Sequence, residues 1–336
     1  MIMSDRSAET PAPDRVSAPT VAGLRVGLRL EFGGKVTTLR WGSEGREWLA
    51  PPVRDPHRPD RPDQGWGELD CSGWDECFPN IGASVTRGLL DHGAVWRHPW
   101  RSGGAEAPLA ASVRPPGAGF RFTREITPTD HELRVSYQIE NLSHADLTWA
   151  WAQHPLLAVD PATRIVLPEP ARVRLDSASH DGVSSTELDW LCPGGIMAAD
   201  TVLTGAVGRA AKVWFTPPLP AVVAVVRGSE WLAWRVAEST APDLGLWVNI
   251  GGWGELALRH VAVEPAFGAH DNPDTDWANS TSQVLAPGLR RQWQVLISAG
   301  SGFDSLGALL TAHPPAATTR RPGRGRTSRR IPVQQP

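Results

Sequence analysis

The chain is poor in lysine, tyrosine and cysteine, and it has no long apolar run. Lys35 and Lys212 are its only lysines, and a single tyrosine stands against 16 tryptophans. The three cysteines have no CxxC spacing, which indicates neither a disulfide framework nor a zinc site. No apolar run is as long as a transmembrane helix, and residues 1–21 lack the apolar core of a signal peptide. A cytoplasmic protein with no membrane partner is therefore expected.

The distribution of charge does not favour a nucleic-acid partner. The formal net charge is −3, and nearly all positive charge comes from arginine, which we attribute to base composition rather than to chemistry. Hydrophobic residues make up 41% of the chain and charged residues 21%, which is typical of a globular protein with a large core. Arginines are concentrated in the tail, which leaves the preceding chain more acidic. They are Arg320, Arg321, Arg324, Arg326, Arg329 and Arg330.

Strict alternation of apolar and polar residues is the dominant pattern, and it predicts antiparallel β-strands. Residues 24–32, 133–140 and 292–298 each place apolar side chains on one face and polar ones on the other. With 33 glycines and 31 prolines as turn residues, the pattern predicts an all-β fold, a large antiparallel sandwich. A helix longer than two turns is expected only at 305–311. Shorter strands are predicted at 36–41, 120–127, 164–167, 221–227, 231–236, 244–250 and 259–263.

The sandwich is expected to form a single domain over residues 21–313, because no internal boundary separates its strands. Residues 1–20 and 314–336 are rich in proline or arginine and poor in apolar residues, so both segments are expected to be disordered. Residues 51–70 are crowded with Pro, Asp and Arg, and they are predicted to form a long loop. This loop is interpreted either as a lid over a functional site or as a solvated insertion.

Two histidines and one glutamate stand in apolar or aromatic surroundings that suit proton transfer. His92 lies in a tight Asp-His-Gly segment, which can present an imidazole from the end of a strand. His154 lies between tryptophan and leucine residues, where desolvation disfavours a charged imidazole. Glu264 ends an apolar run, where an unpaired carboxylate is costly, so it needs an arginine partner or has a catalytic role. These groups predict acid–base chemistry of the kind that opens a sugar ring.

Tryptophans and acidic residues supply candidates for sugar binding. Flat indole rings stack on the C–H faces of sugars, and Trp96 and Trp247 are favoured for this role, with core packing as the alternative for each. Asp75 and Glu76 are adjacent acids in an aromatic segment, so both require partners. Substrate hydroxyls or an arginine such as Arg97 would satisfy them, and a structural salt bridge is equally compatible with the pattern.

The order of these segments resembles the galactose mutarotase-like superfamily, the aldose 1-epimerases and their relatives. The resemblance covers most of the chain and implies a β-supersandwich with a pocket on one concave sheet. The matching segments are an opening hairpin at 34–39 and 46–49, a pocket floor Phe78-Pro79-Asn80-Ile81-Gly82, a first histidine motif Asp91-His92-Gly93, a second at 151–155, a sugar-side strand Leu246-Trp247-Val248-Asn249, and Val263-Glu264-Pro265.

The resemblance implies a mechanism for three residues. Glu264 takes the proton of the C1 hydroxyl, His154 protonates the ring oxygen, and His92 binds and orients the sugar. The open aldehyde then rotates about C1–C2 and closes again as the other anomer. The scheme requires neither a metal nor an organic cofactor, and its partner is a small-molecule sugar.

The resemblance also extends the set of substrate-binding candidates. Asn249 joins Trp247 on the sugar-side strand. An arginine is expected before the first histidine, and Arg87 and Arg97 are both candidates for it. The adjacent acids near the pocket floor would repel a sugar phosphate, so a neutral sugar is expected.

Two other function classes are compatible with the sequence. A carbohydrate-binding protein would keep the sandwich and the tryptophans without turnover, and a hydrolase or lyase could use the same fold, because fold does not determine function. A hydrolase requires a second carboxylic acid suitably spaced from Glu264, which Asp75 or Glu76 would supply. The presence of both histidines and the glutamate favours the isomerase.

Overall fold

The structure, a computed structural model, describes residues 23–42, 45–167, 171–178, 208–254 and 258–313, and the backbone of two further strands at 15–17 and 187–189. The first strands in chain order are β1 (Arg15–Ser17), β2 (Arg25–Arg29), β3 (Lys35–Trp41), β4 (Arg46–Glu47), β5 (Trp74–Cys77), β6 (Arg101–Ser102), β7 (Ala110–Val113), β8 (Phe120–Pro128), β9 (Glu132–Asn141), β10 (Leu147–Trp149), β11 (Trp151–Pro155) and β12 (Leu157–Ala158).

The remaining strands are β13 (Arg164–Val166), β14 (Arg172–Ala178), β15 (Glu187–Asp189), β16 (Arg209–Thr216), β17 (Val222–Arg227), β18 (Glu230–Arg235), β19 (Asp243–Ile250), β20 (Arg259–Phe267), β21 (Gln283–Leu285) and β22 (Arg290–Ser301). The helices are α1 (Pro273–Ala278) and α2 (Phe303–Ala312), and short 3-10 turns lie at Leu30–Phe32, Trp66–Glu68, Val95–Arg97 and Val236–Glu238. No helix in the described ranges is long and apolar enough to cross a membrane.

Two antiparallel sheets enclose one continuous apolar core. The large sheet has the order β1-β2-β3-β5-β11-β20-β19-β16-β14-β15, with β4 beside β3 and β12 beside β20. The small sheet has the order β13-β17-β18-β22-β9-β8-β7-β6, and β10 and β21 form a separate ribbon. Buried residues of both sheets belong to the same core cluster. The predicted all-β antiparallel sandwich is confirmed.

The long alternating segments form strands where they were predicted. On β9 the apolar residues Leu133, Val135 and Ile139 are fully buried, and Val135 pairs with Val295 of β22. The predicted strand over 24–32 ends earlier, at Arg29, where the chain enters a 3-10 turn. The C-terminal helix is present and slightly longer than the predicted range of 305–311. Burial of one face at period two accounts for these elements.

Strand β20 is longer than the predicted segment 259–263, because it continues through Pro265 to Phe267. On one side β20 pairs with β12 at residues 260–261 and with β11 at residues 266–267. The stretch between these two pairings has no strand partner on that side among the described elements. Proline lacks an N–H group and is tolerated where no ladder hydrogen bond is needed.

Alternation on the large sheet separates a core face from an outer face. On β20, Val261 and Val263 point into the core, so Glu264 lies on the outer face. On β11 the same parity turns Trp151 inward and His154 outward. The functional side chains of neighbouring strands therefore meet on the outer face, opposite the core.

Glu76 lies on the core face and forms a buried ion pair with Arg124 of the small sheet. The distance between Glu76 Oε1 and Arg124 Nη1 is 3.0 Å, and both side chains are almost fully buried. Tyr137, Trp74 and Trp151 donate hydrogen bonds of 3.1, 3.1 and 2.9 Å to the same carboxylate. Glu76 thus joins the two sheets. The predicted substrate-binding role is wrong for this residue, because its carboxylate is enclosed by core side chains.

The predicted disordered ends lie almost wholly outside the described residues. Within residues 1–20, only the backbone of β1 is described, and it pairs with β2. The segment 314–336 is entirely outside the described part of the chain. The loop at 51–70 is described, and it has no regular structure apart from the 3-10 turn at Trp66–Glu68.

Candidate active site

A cavity of about 200 Å³ opens on the outer face of the large sheet. Its walls include the three residues predicted to be catalytic. Glu264 comes from β20, His154 comes from β11, and His92 comes from the loop that follows β5. The fold thus brings together side chains from distant parts of the sequence, on the face that the strand alternation predicts.

Glu264 is fully buried, and its two carboxylate oxygens have different surroundings. Oε2 accepts a hydrogen bond from Lys212 Nζ. Oε1 receives no hydrogen bond from any described residue and lies 4.0 Å from His154 Nε2. Burial raises the pKa of Glu264, and the Lys212 charge opposes this effect. A carboxylate with a raised pKa and an unpaired oxygen is suited to act as a base.

His92 is held in an unusual backbone conformation beside an acidic residue. Its φ angle is +60°, in the left-handed region, which costs about 1–2 kcal/mol for a residue other than glycine. Gly93 follows at φ +69°, and a Cβ atom there would lie 2.3 Å from the carbonyl oxygen of Phe78. Such conformations persist where the surroundings enforce them, often at functional sites. The tight Asp-His-Gly segment therefore fixes the imidazole on the cavity wall.

The two histidines have opposite charge environments. Burial alone would lower the pKa of His92, but the charge of Asp91, 2.9 Å from His92 Nδ1, raises the pKa well above its ordinary value. The contact has the distance of an ion pair without the geometry of a hydrogen bond. Burial lowers the pKa of His154 well below its ordinary value, and the charges of His92 and Lys212 lower it further. These opposite directions favour a charged His92 and a neutral His154 near neutral pH.

Trp66 forms the wall behind both imidazoles. Its indole stacks on His92 with ring centroids 4.5 Å apart and planes at 12°, and its ring meets His154 edge to face at 5.2 Å. Asp75 accepts a hydrogen bond of 3.0 Å from the Trp66 indole and forms an ion pair of 3.1 Å with Lys35. Asp75 does not line the cavity. Its observed partners are Trp66 and Lys35, so it supports the wall rather than contacting a substrate as predicted.

Trp247 and Trp253 form the opposite rim. Their ring centroids are 6.0 Å apart and their planes are nearly perpendicular, and both line the cavity. Asn249 does not line it. The Asn249 side chain accepts hydrogen bonds from the N–H groups of Gly252 and Trp253 and donates one to the Trp253 carbonyl. Trp247 donates a hydrogen bond of 3.0 Å to His260, which fixes its ring. Trp247 is therefore placed to contact a ligand, whereas Asn249 fixes Trp253.

The remaining predicted binding residues lie away from the cavity. Arg97 donates hydrogen bonds to carbonyl groups of residues 61–64 and so fastens the long loop. Trp96 is buried and packs in a satellite cluster of the core. Arg87 forms an ion pair of 2.6 Å with Asp274. Neither candidate arginine lines the cavity, nor does Trp96, so the structure does not bring Arg97 and Trp96 to the site where substrate contact was predicted.

Sequence reasoning missed Lys212, the lysine that lines the cavity. Its side chain lies on β16, is 4% exposed, and contacts Glu264 and Asp271. A usable signal was present, because the chain has only two lysines. Asp271 itself follows β20 and comes within 3.3 Å of the lysine nitrogen. Trp66, which lies within the predicted long loop, was not among the tryptophans favoured for ligand binding.

Comparisons with known proteins point to one fold. No family model matches the chain, and no curated protein matches it in sequence. The structure is similar to that of the Slr1438 protein from Synechocystis sp., with a TM-score of 0.62 and 16% identity over 89% of this chain and 100% of that one. It is also similar to a galactose mutarotase-like protein from Lactobacillus casei, with a TM-score of 0.61 and 14% identity over 85% of this chain and all of the other.

The chain has a galactose mutarotase-like fold. A galactose mutarotase related enzyme from Lactobacillus acidophilus gives a TM-score of 0.60 and 12% identity over 87% of this chain and 99% of that one. The fold-level resemblance predicted from the sequence is therefore confirmed. Identities this low establish the galactose mutarotase-like fold alone, so the function has to be argued from the cavity.

Proposed function

We propose that the chain is an aldose 1-epimerase-like enzyme that interconverts the α and β anomers of a neutral sugar. One observation carries the proposal. The unpaired Oε1 atom of Glu264 lies 4.0 Å from His154 Nε2, and the centroid of the His154 ring lies 4.6 Å from that of the His92 ring, in a single cavity lined by tryptophans. A base and an acid on one substrate are what ring opening requires. Polarimetry of a freshly dissolved α-anomer tests the proposal, because the protein is expected to accelerate the change in optical rotation.

The proposed reaction balances without an external reagent. Glu264 removes the proton of the C1 hydroxyl, the bond between C1 and the ring oxygen breaks as the C1 carbonyl forms, and an imidazolium gives its proton to the ring oxygen. Rotation about C1–C2 presents the other face of the aldehyde. The reverse proton transfers then close the ring and restore both groups.

The acid of this scheme is assigned to His92. The resemblance gave this role to His154, but burial and neighbouring positive charge keep His154 neutral. His92 has the Asp91 counter-charge that keeps an imidazolium stable near neutral pH. Neutral His154 is then a hydrogen-bonding group that orients the sugar. The two histidines thus exchange the roles that the resemblance implied.

A pair of variants distinguishes the two assignments. We expect His92→Asn to lower kcat/KM about 10²- to 10⁴-fold and to abolish the alkaline limb of the pH profile, which reports loss of the His92 proton. His154→Asn is expected to lower the rate while the alkaline limb stays in place. Anomer exchange measured between pH 5 and 10 supplies both profiles. An alkaline limb that survives in His92→Asn and disappears in His154→Asn would return the acid role to His154.

The charges of the cavity favour an unphosphorylated substrate. The described cations on its wall, Lys212 and His92, each contact at least one carboxylate. Three carboxylates, those of Asp91, Glu264 and Asp271, line the same space. The internal segments outside the described residues contain no lysine or arginine. A phosphate dianion would therefore be repelled by these carboxylates, and both described cations of the cavity are already paired with a carboxylate. Repulsion of a phosphate is thus assigned to these three carboxylates and not, as predicted, to Asp75 and Glu76.

Discrimination between glucose and glucose 6-phosphate is expected to be large. Juxtaposed like charges cost about 3 kcal/mol, which corresponds to about a hundredfold lower kcat/KM for the phosphorylated sugar. NMR exchange rates on both compounds, or on another aldose and its phosphate, measure the ratio. A phosphorylated sugar that reacts as fast as its parent would contradict the neutral-substrate assignment while leaving the isomerase proposal in place.

The hydrolase alternative loses its two candidate carboxylic acids, and the other carboxylates of the cavity, Asp91 and Asp271, contact His92 and Lys212. Asp75 is engaged by Lys35 and the Trp66 indole, and Glu76 is buried in the core with Arg124. The non-catalytic alternative would keep the tryptophans without requiring the unpaired oxygen of Glu264. Unpaired buried polar atoms are costly and are retained where function needs them. The isomerase is therefore the function that the cavity supports best.

A further inference from the structure

Lys212 reaches the catalytic candidate Glu264 by crossing an intervening strand. Lys212 lies on β16 and Glu264 lies on β20, with β19 between them. The β19 residue paired with Glu264 is Gly245. A Cβ atom on Gly245 would lie 3.2 Å from Lys212 Cε and 3.3 Å from Lys212 Nζ, closer than an ordinary contact. Because Gly245 has no side chain, the Lys212 side chain can pass over β19 to reach Glu264.

The lysine ammonium engages only part of the Glu264 carboxylate. Lys212 Nζ donates a hydrogen bond to Glu264 Oε2, lies 3.3 Å from Asp271 Oδ1, and sits 4.9 Å from the centroid of the Trp214 ring. Its side chain is 4% exposed. The other oxygen of Glu264, Oε1, has no hydrogen-bond partner in the described part of the chain. The contact therefore fixes the carboxylate by one oxygen and leaves the other unoccupied.

We propose that Lys212 is a positioning residue that keeps Glu264 ionised at neutral pH and leaves Oε1 free to accept a proton. The inference rests on the proposed function, because it assigns Lys212 to the base of that reaction. Lys212 itself transfers no proton, since its two carboxylate partners keep it charged. Without this cation, a carboxylate at a fully buried position would hold a proton at neutral pH and would not act as a base.

The electrostatic surroundings of Glu264 make the lysine the decisive partner. Lys212 hydrogen-bonds to the carboxylate, whereas Asp271 adds a like charge that opposes ionisation. His154 is neutral and lies 4.0 Å away. The other titratable groups that line the cavity are Asp91, His92 and Cys77. His92 is the positively charged one near neutral pH, and Asp91 is its counter-ion. Removal of the lysine would therefore leave Glu264 with His92 as its remaining described cation in the cavity, at a greater distance than Lys212.

The test is titration of the Glu264 carboxyl group in Lys212→Met. Protein labelled with ¹³C at the glutamate carboxyl carbon gives one NMR signal per glutamate, and the Glu264 signal is the one missing in Glu264→Gln. We expect its titration midpoint to rise by about 1–3 pH units in Lys212→Met. The acid limb of kcat/KM should move upward by the same amount. An unmoved Glu264 midpoint in the folded variant would overturn the inference.

Lys35→Met is the matched control, because Lys35 is the other buried lysine of the large sheet and also contacts two carboxylates. The Glu264 midpoint should stay in place in this variant. Should Lys212→Met fail to fold, Lys212→Gln carries the test, since it removes the charge but keeps a polar side chain at the same position. A raised midpoint in Lys212→Gln supports the inference, and an unmoved one overturns it. Absence of anomer exchange in the unmodified protein would contradict the proposed function only, because the NMR titration needs no turnover.

Discussion

Glu264→Gln is expected to lower kcat/KM for anomer exchange about 10²- to 10⁴-fold. The amide retains the size of the carboxylate and can still contact Lys212, but it cannot accept the proton of the C1 hydroxyl. The folded structure should persist, because the strand pairing of β20 and its apolar neighbours are unaffected. Exchange rates from NMR, together with tryptophan fluorescence to follow sugar binding, separate the loss of rate from the loss of affinity.

Asp274→Asn is the control for this variant. Asp274 is close in sequence to Asp271, which lines the cavity. Its own hydrogen-bond partners are Ser84, Thr86 and Arg87, on the surface. Removing its charge should change the rate by less than about threefold, because surface ion pairs contribute little. An unchanged rate in Glu264→Gln would remove Glu264 from the mechanism, and a large loss in Asp274→Asn would show that charge near the cavity, rather than the base, governs the rate.

Arg124→Met is expected to lower the free energy of unfolding by about 3–5 kcal/mol, because it leaves the buried Glu76 carboxylate without its counter-ion. Urea denaturation monitored by tryptophan fluorescence measures the change. Folded Arg124→Met should still bind sugar with unchanged affinity, because Glu76 is on the core face. Weaker sugar binding with unchanged stability would instead restore Glu76 to the substrate site.

Arg121→Met provides the comparison on the same strand. Arg121 also pairs with a glutamate, Glu140 at 2.8 Å, but its side chain is 46% exposed. Exposed pairs are worth about 0–1 kcal/mol, so this variant should unfold at nearly the original urea concentration. Equal losses in both variants would contradict the assignment of the Glu76 pair as a buried link between the sheets.

The fold could be predicted from the sequence because a strand that buries one face has an apolar residue at every second position. This pattern also specifies which residues of a strand share a face, and in the structure the outward positions of β11 and β20 hold His154 and Glu264. The same reasoning argues against a shared role for Asp75 and Glu76. Adjacent residues of a strand point to opposite faces, so one of the two had to enter the core.

Other parts of the site show no such pattern. Strand β16 has apolar residues on both of its faces, so it shows little alternation, and Lys212 within it was attributed to composition. The ion pair with Glu264 depends on the order of strands β16, β19 and β20, which a local pattern does not contain. The charge states of His92 and His154 likewise depend on neighbours from other strands. The residue types were predictable, whereas their pairings required the tertiary structure.

Saturation-transfer NMR tests most directly whether the protein opens and recloses a sugar ring. The C1 proton of the α-anomer is saturated at equilibrium, and transfer to the β-anomer signal is followed for glucose, galactose and other neutral aldoses. Transfer that is faster with the protein than with its Glu264→Gln variant is the expected result for at least one aldose. Equal transfer with both proteins, while tryptophan fluorescence still reports sugar binding, would contradict the enzyme and leave a carbohydrate-binding protein.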